Sequence, residues 1–474
     1  MRNLLRRIAR HKGELVVDAL RVITYLGQML LFFGLMSIEN WPLLHLSRTL
    51  ATTLLTWVAM TIAMHAIYGG YDVGRKKSKP IISSMTLGCI CTDLVTYLQL
   101  QIMNVNPQNN TTLKLFGTDF VYLLICILLQ TLFLTIMVRT GNRIYFRIHQ
   151  PKACLLIVGE DADETALREK IGRYRLQWHV RDVASWHDEN LKQRIENAEV
   201  VFMADVPGEV RMNLMKACYD LHRDVLCKAQ LQDIMLSNAR PAIVDDAAFL
   251  SMEFNKSSLY QRFLKRTGDI VLSALALIVF SPFILLFSLC IKMEDGGSVI
   301  FRQSRLTADG REFTIRKFRT MKPHSEDEHF QTSITVDDPR ITKVGSFLRR
   351  YRLDEIPQFY NILIGDMSLV GPRPEMMANV ERYKMELPSF VYREKMKAGL
   401  TGYAQIEGRY NTSAEDKLML DLMYIESFSI WLDIKLLLRT FTILTKKDST
   451  QGFRKEAEQK QANAQANPKE EMAK

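Results

Sequence analysis

Four long apolar segments near the start of the chain limit its fold more than any other feature. They cover residues 22–38, 49–71, 80–104 and 120–138. Each is close to the ~20 residues that a helix needs to cross a bilayer. No small-residue cleavage site follows the first segment promptly, so it is predicted to be an anchor and not a cleaved signal peptide. The sequence therefore predicts a transmembrane region of four helices at residues 1–150.

Loop charges predict the orientation of this region. The N-terminus and residues 75–79 are rich in Lys and Arg, whereas residues 39–46 and 105–117 carry almost no cations. The positive-inside rule places the basic ends in the cytoplasm, which predicts a multi-pass membrane protein. Asp93 lies inside the third segment, where an acid is a functional candidate by default. Pairing with another helix, through Arg21, is the alternative that we favour.

Residues 151–258 alternate short apolar runs with polar, helix-like segments. This alternation predicts a small Rossmann-like parallel α/β domain. The turn after the first run, at residues 159–163, lacks the later glycines of a dinucleotide fingerprint and places acids where a pyrophosphate would lie, so no NAD site is predicted. Asp161 and Asp163 match the loose acidic triplet with which glycosyltransferases hold a metal, but an acidic helix start explains them equally well.

A fifth apolar segment, residues 270–291, is interrupted by Ser281 and Pro282. Proline leaves the carbonyl of Ile278 without its helical N–H, and in lipid the Ser281 hydroxyl is a suitable donor. Each half of the segment spans ~16 Å, about half of a ~30 Å hydrocarbon core. We therefore predict a helix at residues 269–292 that enters the membrane, bends, and leaves on the same face. A kinked spanning helix is the alternative.

Residues 344–375 contain the candidate catalytic residues. Asp354 and Glu355 follow arginines at positions 349, 350 and 352 and precede Pro357, a pattern that predicts a helix start with Asp354 near the N-cap. Such a position keeps a carboxylate ionised and nucleophilic, although the same residues also suit an ordinary helix cap. The segments 317–321 and 371–374 add cations and rigid turns, a combination suited to phosphates.

The charge balance fits the same class of ligand. The chain has 62 Lys and Arg against 52 Asp and Glu, a formal net charge of +10. This excess suits phosphate-bearing substrates or an anionic membrane face. No zinc-ligand spacing, aromatic RNA-binding motif or basic heptad region is present, so no nucleic-acid partner is predicted. The seven cysteines give no disulfide framework.

Together these segments resemble the catalytic domain of the bacterial sugar transferases, the large monotopic phosphoglycosyl transferases that act on polyprenyl phosphate. The resemblance runs from about residue 259 to residue 453. It implies a mostly helical catalytic domain with a re-entrant membrane helix. It also implies transfer of a sugar 1-phosphate from a nucleotide diphosphate sugar to polyprenyl (undecaprenyl) phosphate, through a phosphosugar bound covalently to Asp354. That reaction is the first membrane step of exopolysaccharide, capsule or O-antigen synthesis.

Roles for individual residues follow from this resemblance and from their chemistry. Glu355 is predicted to hold Mg²⁺, a hard cation usually bound by one or two carboxylates and substrate oxygens. The predicted phosphate ligands are four cations, with a basic surface facing anionic lipid as the alternative: Arg373, Arg349, Lys317 and Arg319. The expected partners are a nucleotide sugar, polyprenyl phosphate, membrane lipids and a second copy in a homodimer. The sugar is not predicted.

Two other functions stay open at this stage. One is a non-enzymatic membrane scaffold of a polysaccharide assembly complex, in which the acids only cap a helix. The other is an NAD-dependent nucleotide-sugar dehydratase, which would need a glycine-rich turn and a Tyr-x-x-x-Lys pair that the chain lacks. Residues 430–447 suit an interfacial helix or a core helix. An acidic mobile loop is predicted at 325–338 and a disordered tail at 454–474.

Overall fold

A computed structural model describes residues 2–105, 112–113, 115–160, 162–252, 257–322, 340–408 and 412–444, without side chains for residues 2–14 and 441–444. The acidic segment 325–338, the tail 454–474 and Asp161 lie outside the described residues. The chain forms two compact units, Met1–Lys228 and Ala229–Lys474.

The first unit begins with four long helices, α1 (Arg2–Met36), α2 (Arg48–Tyr68), α3 (Ser78–Met103) and α4 (Thr118–Ile148). The four predicted apolar segments lie largely within them. Helix α1 packs against α4, and α3 packs against both α2 and α4. Together with a fifth helix in the second unit, they are long and apolar enough to cross a membrane. The protein is therefore suited to membrane association.

Asp93 on α3 is completely buried among these helices. Its Oδ1 accepts a hydrogen bond of 3.4 Å from Trp57 Nε1 on α2. Arg21 instead forms an ion pair of 3.1 Å with Asp18, one turn earlier on its own helix. The prediction that Asp93 pairs with another helix is confirmed, but the partner is the indole N–H of Trp57 and not Arg21, which pairs with a nearer carboxylate on its own helix.

A parallel sheet follows in the same unit, as the alternating pattern predicted. Its strands are β1 (Lys152–Val158), β2 (Trp178–Ser185), β3 (Val200–Ala204) and β4 (Asp224–Cys227), in the order β2-β1-β3-β4. Helices α5 (Glu164–Gly172), α6 (Leu191–Glu196) and α7 (Gly208–Asp220) connect them. Buried apolar side chains from β1, β3, α6 and α7 form the core.

The loops that follow β1 and β3 approach each other closely. A Cβ at Gly159 would overlap the carbonyl oxygen of Asp205. Ligands of such sheets bind outside the carboxyl ends of the strands, where the strand order reverses, and these loops fill that position between β1 and β3. Asp163 is the N-cap of α5 and accepts a hydrogen bond of 2.9 Å from the backbone N–H of Ala166. The helix-start interpretation of Asp163 therefore matches the structure.

The second unit begins earlier than the sequence predicted. Helix α8 (Leu231–Leu236) and the hairpin of β5 (Arg240–Val244) and β6 (Ala247–Ser251) belong to it. Ile234 is buried in a cluster with Phe390 and Leu418. The apolar face of α8 therefore packs within the second unit, although the sequence assigned residues 231–236 to the α/β domain at 151–258.

Helix α9 (Leu259–Asp295) contains the fifth apolar segment and continues through Pro282. The Ser281 hydroxyl donates a hydrogen bond of 2.7 Å to the carbonyl of Ile278, the contact expected from the missing proline N–H. One face of α9 contacts the rest of the unit along its length. The opposite face exposes large apolar side chains, among them Leu275, Ile278, Leu285 and Leu289.

The remaining elements are short and mostly helical. The strands are β7 (Ile300–Leu306) antiparallel to β8 (Glu312–Phe318), and β9 (Ser368–Val370) parallel to β10 (Gly399–Thr401). The helices are α10 (Lys343–Arg350), α11 (Gln358–Ile364), α12 (Met377–Glu386), α13 (Tyr403–Glu407), α14 (Ala414–Glu426) and α15 (Ile430–Leu444). Leu436 on α15 is fully buried, whereas Trp431 on the same helix is half exposed.

The N-terminal part of α9 is attached to this core by buried polar groups. Lys265 Nζ forms an ion pair of 2.6 Å with Asp433 Oδ2 on α15 and donates to the carbonyl of Val370. Asp269 Oδ1 accepts hydrogen bonds from the Leu369 N–H and the Ser368 hydroxyl. Both side chains therefore fix the strand β9, from which the chain enters the turn at residues 371–374.

Replacing Lys265 by Met should destabilise the second unit by about 3 kcal/mol, because the buried Asp433 carboxylate loses its cation. The double variant Lys265→Met/Asp433→Leu should regain part of that stability, since it removes the unpaired charge. Chemical denaturation of the purified protein measures both effects. A double variant less stable than Lys265→Met alone would contradict this account of the pair.

Candidate active site

The predicted site residues come together between β8, α10 and the turn at residues 371–374. Helix α10 approaches the end of β8 so closely that a Cβ at Gly345 would overlap the backbone carbonyl of Thr320. Thr342 caps this helix by accepting a hydrogen bond of 2.9 Å from the Gly345 N–H. The Glu294 carboxylate at the end of α9 accepts from the Lys343 N–H at 2.8 Å. Both caps fix the helix that leads to the two acids.

The two acids lie in a short 3₁₀ turn, Leu353–Glu355, after α10. Pro357 occupies the N-cap of α11, so Asp354 lies about one turn before the position that the sequence predicted for it. Arg352 begins the turn with φ +56° and ψ +24°, in the left-handed region. A non-glycine residue held in such a backbone conformation costs about 1–3 kcal/mol, which is common at functional sites.

Glu355 is held by two cations. Its Oε1 lies 3.0 Å from Lys317 Nζ and 3.1 Å from Arg373 Nη2, and only 14% of its side chain is exposed. Burial alone would raise the pKa of this carboxyl, but the attraction of Lys317 and Arg373 dominates and lowers it. Glu355 is therefore ionised and fixed.

Asp354 has a different environment. Within the described ranges, no residue donates a hydrogen bond to its carboxylate or forms an ion pair with it. Burial raises the pKa of Asp354, and repulsion from Glu355 raises it further, whereas Lys317, Arg349 and Arg373 oppose that rise from a distance. Two adjacent carboxylates thus have pKa values pushed in opposite directions, an arrangement typical of acids with separate roles. Asp354 is the one that remains available to react.

The turn from Gly371 to Pro374 presents Arg373 to Glu355, and hydrogen bonds fix its backbone. The Gly371 N–H donates to the carbonyl of Thr401 at 2.9 Å, and the Gly399 N–H donates to the carbonyl of Pro372 at 2.8 Å. Two arginines bind the next two carbonyls: Arg393 donates to Arg373 and Arg305 donates to Pro374. The position of the Arg373 side chain therefore depends on residues from several elements.

Arg393 belongs to a buried ionic group behind this turn. Its Nη2 lies 2.7 Å from Asp421 Oδ2, and its Nη1 lies 3.9 Å from Glu375 Oε1, which also accepts from Lys417 at 2.8 Å. Burial raises the pKa of Asp421 to about 6, against the attraction of Arg393. Sequence reasoning missed this group, because nothing in the local pattern joins positions 393 and 421. A charged residue inside an otherwise apolar helical stretch, such as Asp421, was the only signal.

The other two predicted phosphate ligands lie apart from Glu355. Arg349 Nε donates to Thr320 Oγ1 at 2.7 Å, close enough to Asp354 to influence its charge. Arg319 is buried, pairs with Asp295 at the end of α9, and packs against Gly297. The structure therefore brings Lys317, Arg373 and Arg349 around the two acids, whereas Arg319 joins α9 to β8.

The site offers few ligands for a metal. Among the residues that the structure describes, no group of three or more His, Cys, Asp or Glu side chains lies together. Of the described residues, the turn supplies the carboxylates of Asp354 and Glu355, and one Glu355 oxygen already contacts two cations. A Mg²⁺ ion often has one or two protein carboxylates and takes its other ligands from substrate and water. These residues fit Mg²⁺ only in that manner.

Comparison with known proteins identifies the family to which this unit is similar. The profile described as bacterial sugar transferase matches residues 260–447. The UDP-glucose:undecaprenyl-phosphate glucose-1-phosphate transferase of Escherichia coli is 46% identical over 184 residues, 38% of this chain and 39% of that protein. The enzyme of the same name from Caulobacter vibrioides is 40% identical over 190 residues, 39% of this chain and 71% of that protein.

A third relative differs in its sugar. The UDP-N-acetylgalactosamine-undecaprenyl-phosphate N-acetylgalactosaminephosphotransferase of Aeromonas hydrophila is 42% identical over 187 residues, 39% of this chain and 44% of that protein. The chain thus spans about two fifths of the length of the E. coli and Aeromonas relatives. The chain belongs to the bacterial sugar transferase family, as the resemblance of its motifs indicated.

Replacing Arg393 by Met should lower both the thermal stability of the second unit and any turnover at the site. The change leaves the buried Asp421 unpaired and frees the carbonyl of Arg373. The double variant Arg393→Met/Asp421→Leu should recover stability without recovering turnover, because it restores no donor to that carbonyl. Thermal unfolding and a nucleotide-sugar assay measure the two effects. Recovery of both together would show that Arg393 has no part in placing Arg373.

Proposed function

We propose that this protein transfers a sugar 1-phosphate from a nucleotide diphosphate sugar to undecaprenyl phosphate through an intermediate on Asp354. The contrast between the two adjacent carboxylates carries the proposal: Glu355 is fixed by Lys317 and Arg373, whereas Asp354 is free of partners among the described residues. The named relatives act on UDP-sugars and undecaprenyl phosphate, which supports the same substrate classes here.

The reaction has two balanced steps. An Asp354 oxygen attacks the sugar-side phosphorus, and the bond from that phosphorus to the nucleotide-side bridging oxygen breaks, releasing nucleoside monophosphate. A phosphate oxygen of undecaprenyl phosphate then attacks the same phosphorus, and the bond to Asp354 breaks. The product is a lipid-linked diphosphate sugar. Phosphoryl transfer needs charge neutralisation more than further covalent chemistry, and Lys317, Arg349 and Arg373 provide it.

Mg²⁺ is the proposed cofactor, with Glu355 as its protein ligand beside Asp354. When bound, it would neutralise charge on the donor diphosphate. The low pKa of Glu355 supports this assignment, since a ligand for a hard cation must be ionised. Lys317 and Arg373 orient the same carboxylate and stay close to the phosphates.

The contacts of α9 support a re-entrant placement in the membrane. Phe280, just before Pro282, stacks on Phe359 of α11, and Phe287, after the proline, packs on Phe318 of β8. Both halves of the helix therefore contact the same set of elements. Strand β8 also carries Lys317, and the turn of the two acids lies just before α11. These charged groups are too polar for the middle of a bilayer. A helix that crossed the membrane fully would carry them into the hydrocarbon region.

The cellular setting follows from the same proposal. Nucleotide sugars are cytoplasmic, so the second unit would work at the cytoplasmic face of the bacterial inner membrane. The basic N-terminus and the basic loop at residues 75–79 agree with that orientation. The lipid-linked product would start an exopolysaccharide, capsule or O-antigen. A homodimer is part of the proposal. The relatives use different sugars, and therefore they leave the donor sugar open.

Replacing Asp354 by Asn should reduce nucleoside monophosphate release by on the order of 1,000-fold or more, because the amide cannot act as the nucleophile. The assay uses purified protein in lipid nanodiscs, undecaprenyl phosphate and a panel of nucleotide sugars. Asp309→Asn is the matched control, since Asp309 is exposed and its left-handed conformation suits Asn. Normal turnover by Asp354→Asn would rule out the intermediate. Release from no donor by the native protein would favour a scaffold.

The pH profile should show the raised pKa of Asp354. The nucleophile must be ionised, so kcat/KM should fall as pH decreases through a value of about 6, above the usual carboxyl range. Glu355→Gln removes the repulsion and should shift this acidic limb to lower pH while reducing the maximal rate. An acidic limb near pH 4 in the native protein, or an upward shift in Glu355→Gln, would contradict the assignment.

A further inference from the structure

Arg352 has a backbone conformation that arginine rarely adopts. Its φ of +56° lies in the left-handed region, where glycine and asparagine are favoured. It connects α10 to the 3₁₀ turn of the two acids, and its carbonyl accepts from the Glu355 N–H at 3.4 Å. Glycine would therefore adopt this backbone conformation with less strain than arginine. An arginine here needs a reason in its side chain.

The guanidinium of Arg352 has no acceptor in the part of the chain that the structure describes. Burial lowers its pKa, Glu355 and Asp354 raise it, and Arg373 lowers it, so these charges surround it. Other buried arginines of this unit are paired: Arg319 with Asp295, and Arg393 with Asp421. A partly buried cation without a partner is unfavourable, and an anionic ligand would relieve that cost.

The charges near Asp354 are also out of balance. Lys317, Arg349, Arg352 and Arg373 influence the two carboxylates of Asp354 and Glu355. Glu375 also acts on Arg373, so four cations face three acids among the described residues, which leaves an excess of positive charge. Lys317 and Arg373 are directed to Glu355, and Arg349 donates to Thr320. Arg352 is therefore the cation in this group that keeps its whole guanidinium available.

We infer that Arg352 binds a phosphate oxyanion beside Asp354, with the planar guanidinium positioned for two hydrogen bonds. The inference deepens the proposed function and rests on it. Two substrates carry this chemistry, the diphosphate of the nucleotide sugar and the phosphate of the lipid acceptor. This role would account for an arginine at a position of positive φ, two residues before Asp354.

The test exploits the backbone conformation. Arg352→Gly and Arg352→Asn remove the guanidinium but accept a positive φ, so the thermal midpoint should stay the same or rise. A loss of function in these variants cannot then be attributed to a distorted turn. Arg352→Lys keeps the charge without the fork and should lie between the native protein and Arg352→Gly. Arg382→Gln is the control, an exposed arginine on α12 that also removes one positive charge.

Two arms separate the phosphate sources. In the donor arm, UDP-glucose is titrated by calorimetry into Asp354→Asn and into Asp354→Asn/Arg352→Gly, neither of which reacts. In the acceptor arm, the KM for undecaprenyl phosphate is compared between the native protein and Arg352→Gly. Weakening on the order of 10- to 100-fold in either arm, with Arg382→Gln unchanged, supports the inference and identifies the source. Unchanged affinity in both arms would overturn it.

Failure of this inference differs from failure of the proposed function. If Arg352→Gly retains the native affinity for both substrates and the native protein still releases nucleoside monophosphate, only the role of Arg352 is wrong. If the native protein releases none from any donor, the proposed reaction is wrong. In that case the donor arm still tests the role of Arg352, because calorimetry measures binding and requires no turnover.

Discussion

The paired contact of Glu355 with Lys317 and Arg373 is the interaction on which the rest of the site depends. Adjacent carboxylates repel each other, and a half-buried pair without cations would hold at least one proton at neutral pH. Because two cations keep Glu355 ionised, its repulsion adds to the effect of burial and raises the pKa of Asp354. The Asp354 carboxylate is therefore more basic than an ordinary carboxylate. No described residue donates a hydrogen bond that would stabilise its charge. In the proposed reaction, the same two cations would also neutralise charge on the phosphates.

This contact is possible only because several elements are fixed behind it. Arg373 stands between two prolines, and the carbonyls of Pro372, Arg373 and Pro374 each accept a hydrogen bond from a more distant residue. Strand β9 leads into that turn, and Lys265 and Asp269 of α9 hold the strand. At the other end of α9, Glu294 caps α10 and Asp295 pairs with Arg319. The apolar helix thus contacts both segments that form the site.

This arrangement links membrane association to the geometry of the acids. A helix with an exposed apolar face needs lipid or detergent around it. If that environment is lost, both ends of α9 can shift, and the turn with Arg373 and the helix before Asp354 would shift with them. The match to the family model, at residues 260–447, lies within this unit and includes both segments that form the site.

Local patterns in the sequence determined the acid pair, the rigid turn with Arg373, the proline break with its serine, and the alternation of the α/β domain. Each of these depends on residues within a few positions, where backbone geometry fixes the outcome. The Ser281 contact with Ile278 is an example. Only the tertiary structure decided which charges meet. It paired Arg21 with Asp18 instead of Asp93, turned Arg319 to Asp295, and placed α8 on the second unit.

The physical reason is that an ion pair depends on distance in space and not on separation along the chain. Lys265 and Asp433 lie 168 positions apart, and no local pattern connects them. The same holds for the support of Arg373 by Arg393. The sequence by itself determined which residue types were available for phosphate chemistry. Packing decided that two cations hold Glu355 and that, among the described residues, Asp354 and the Arg352 guanidinium have no ion-pair partner, because burial and neighbouring charges exist only in the folded chain.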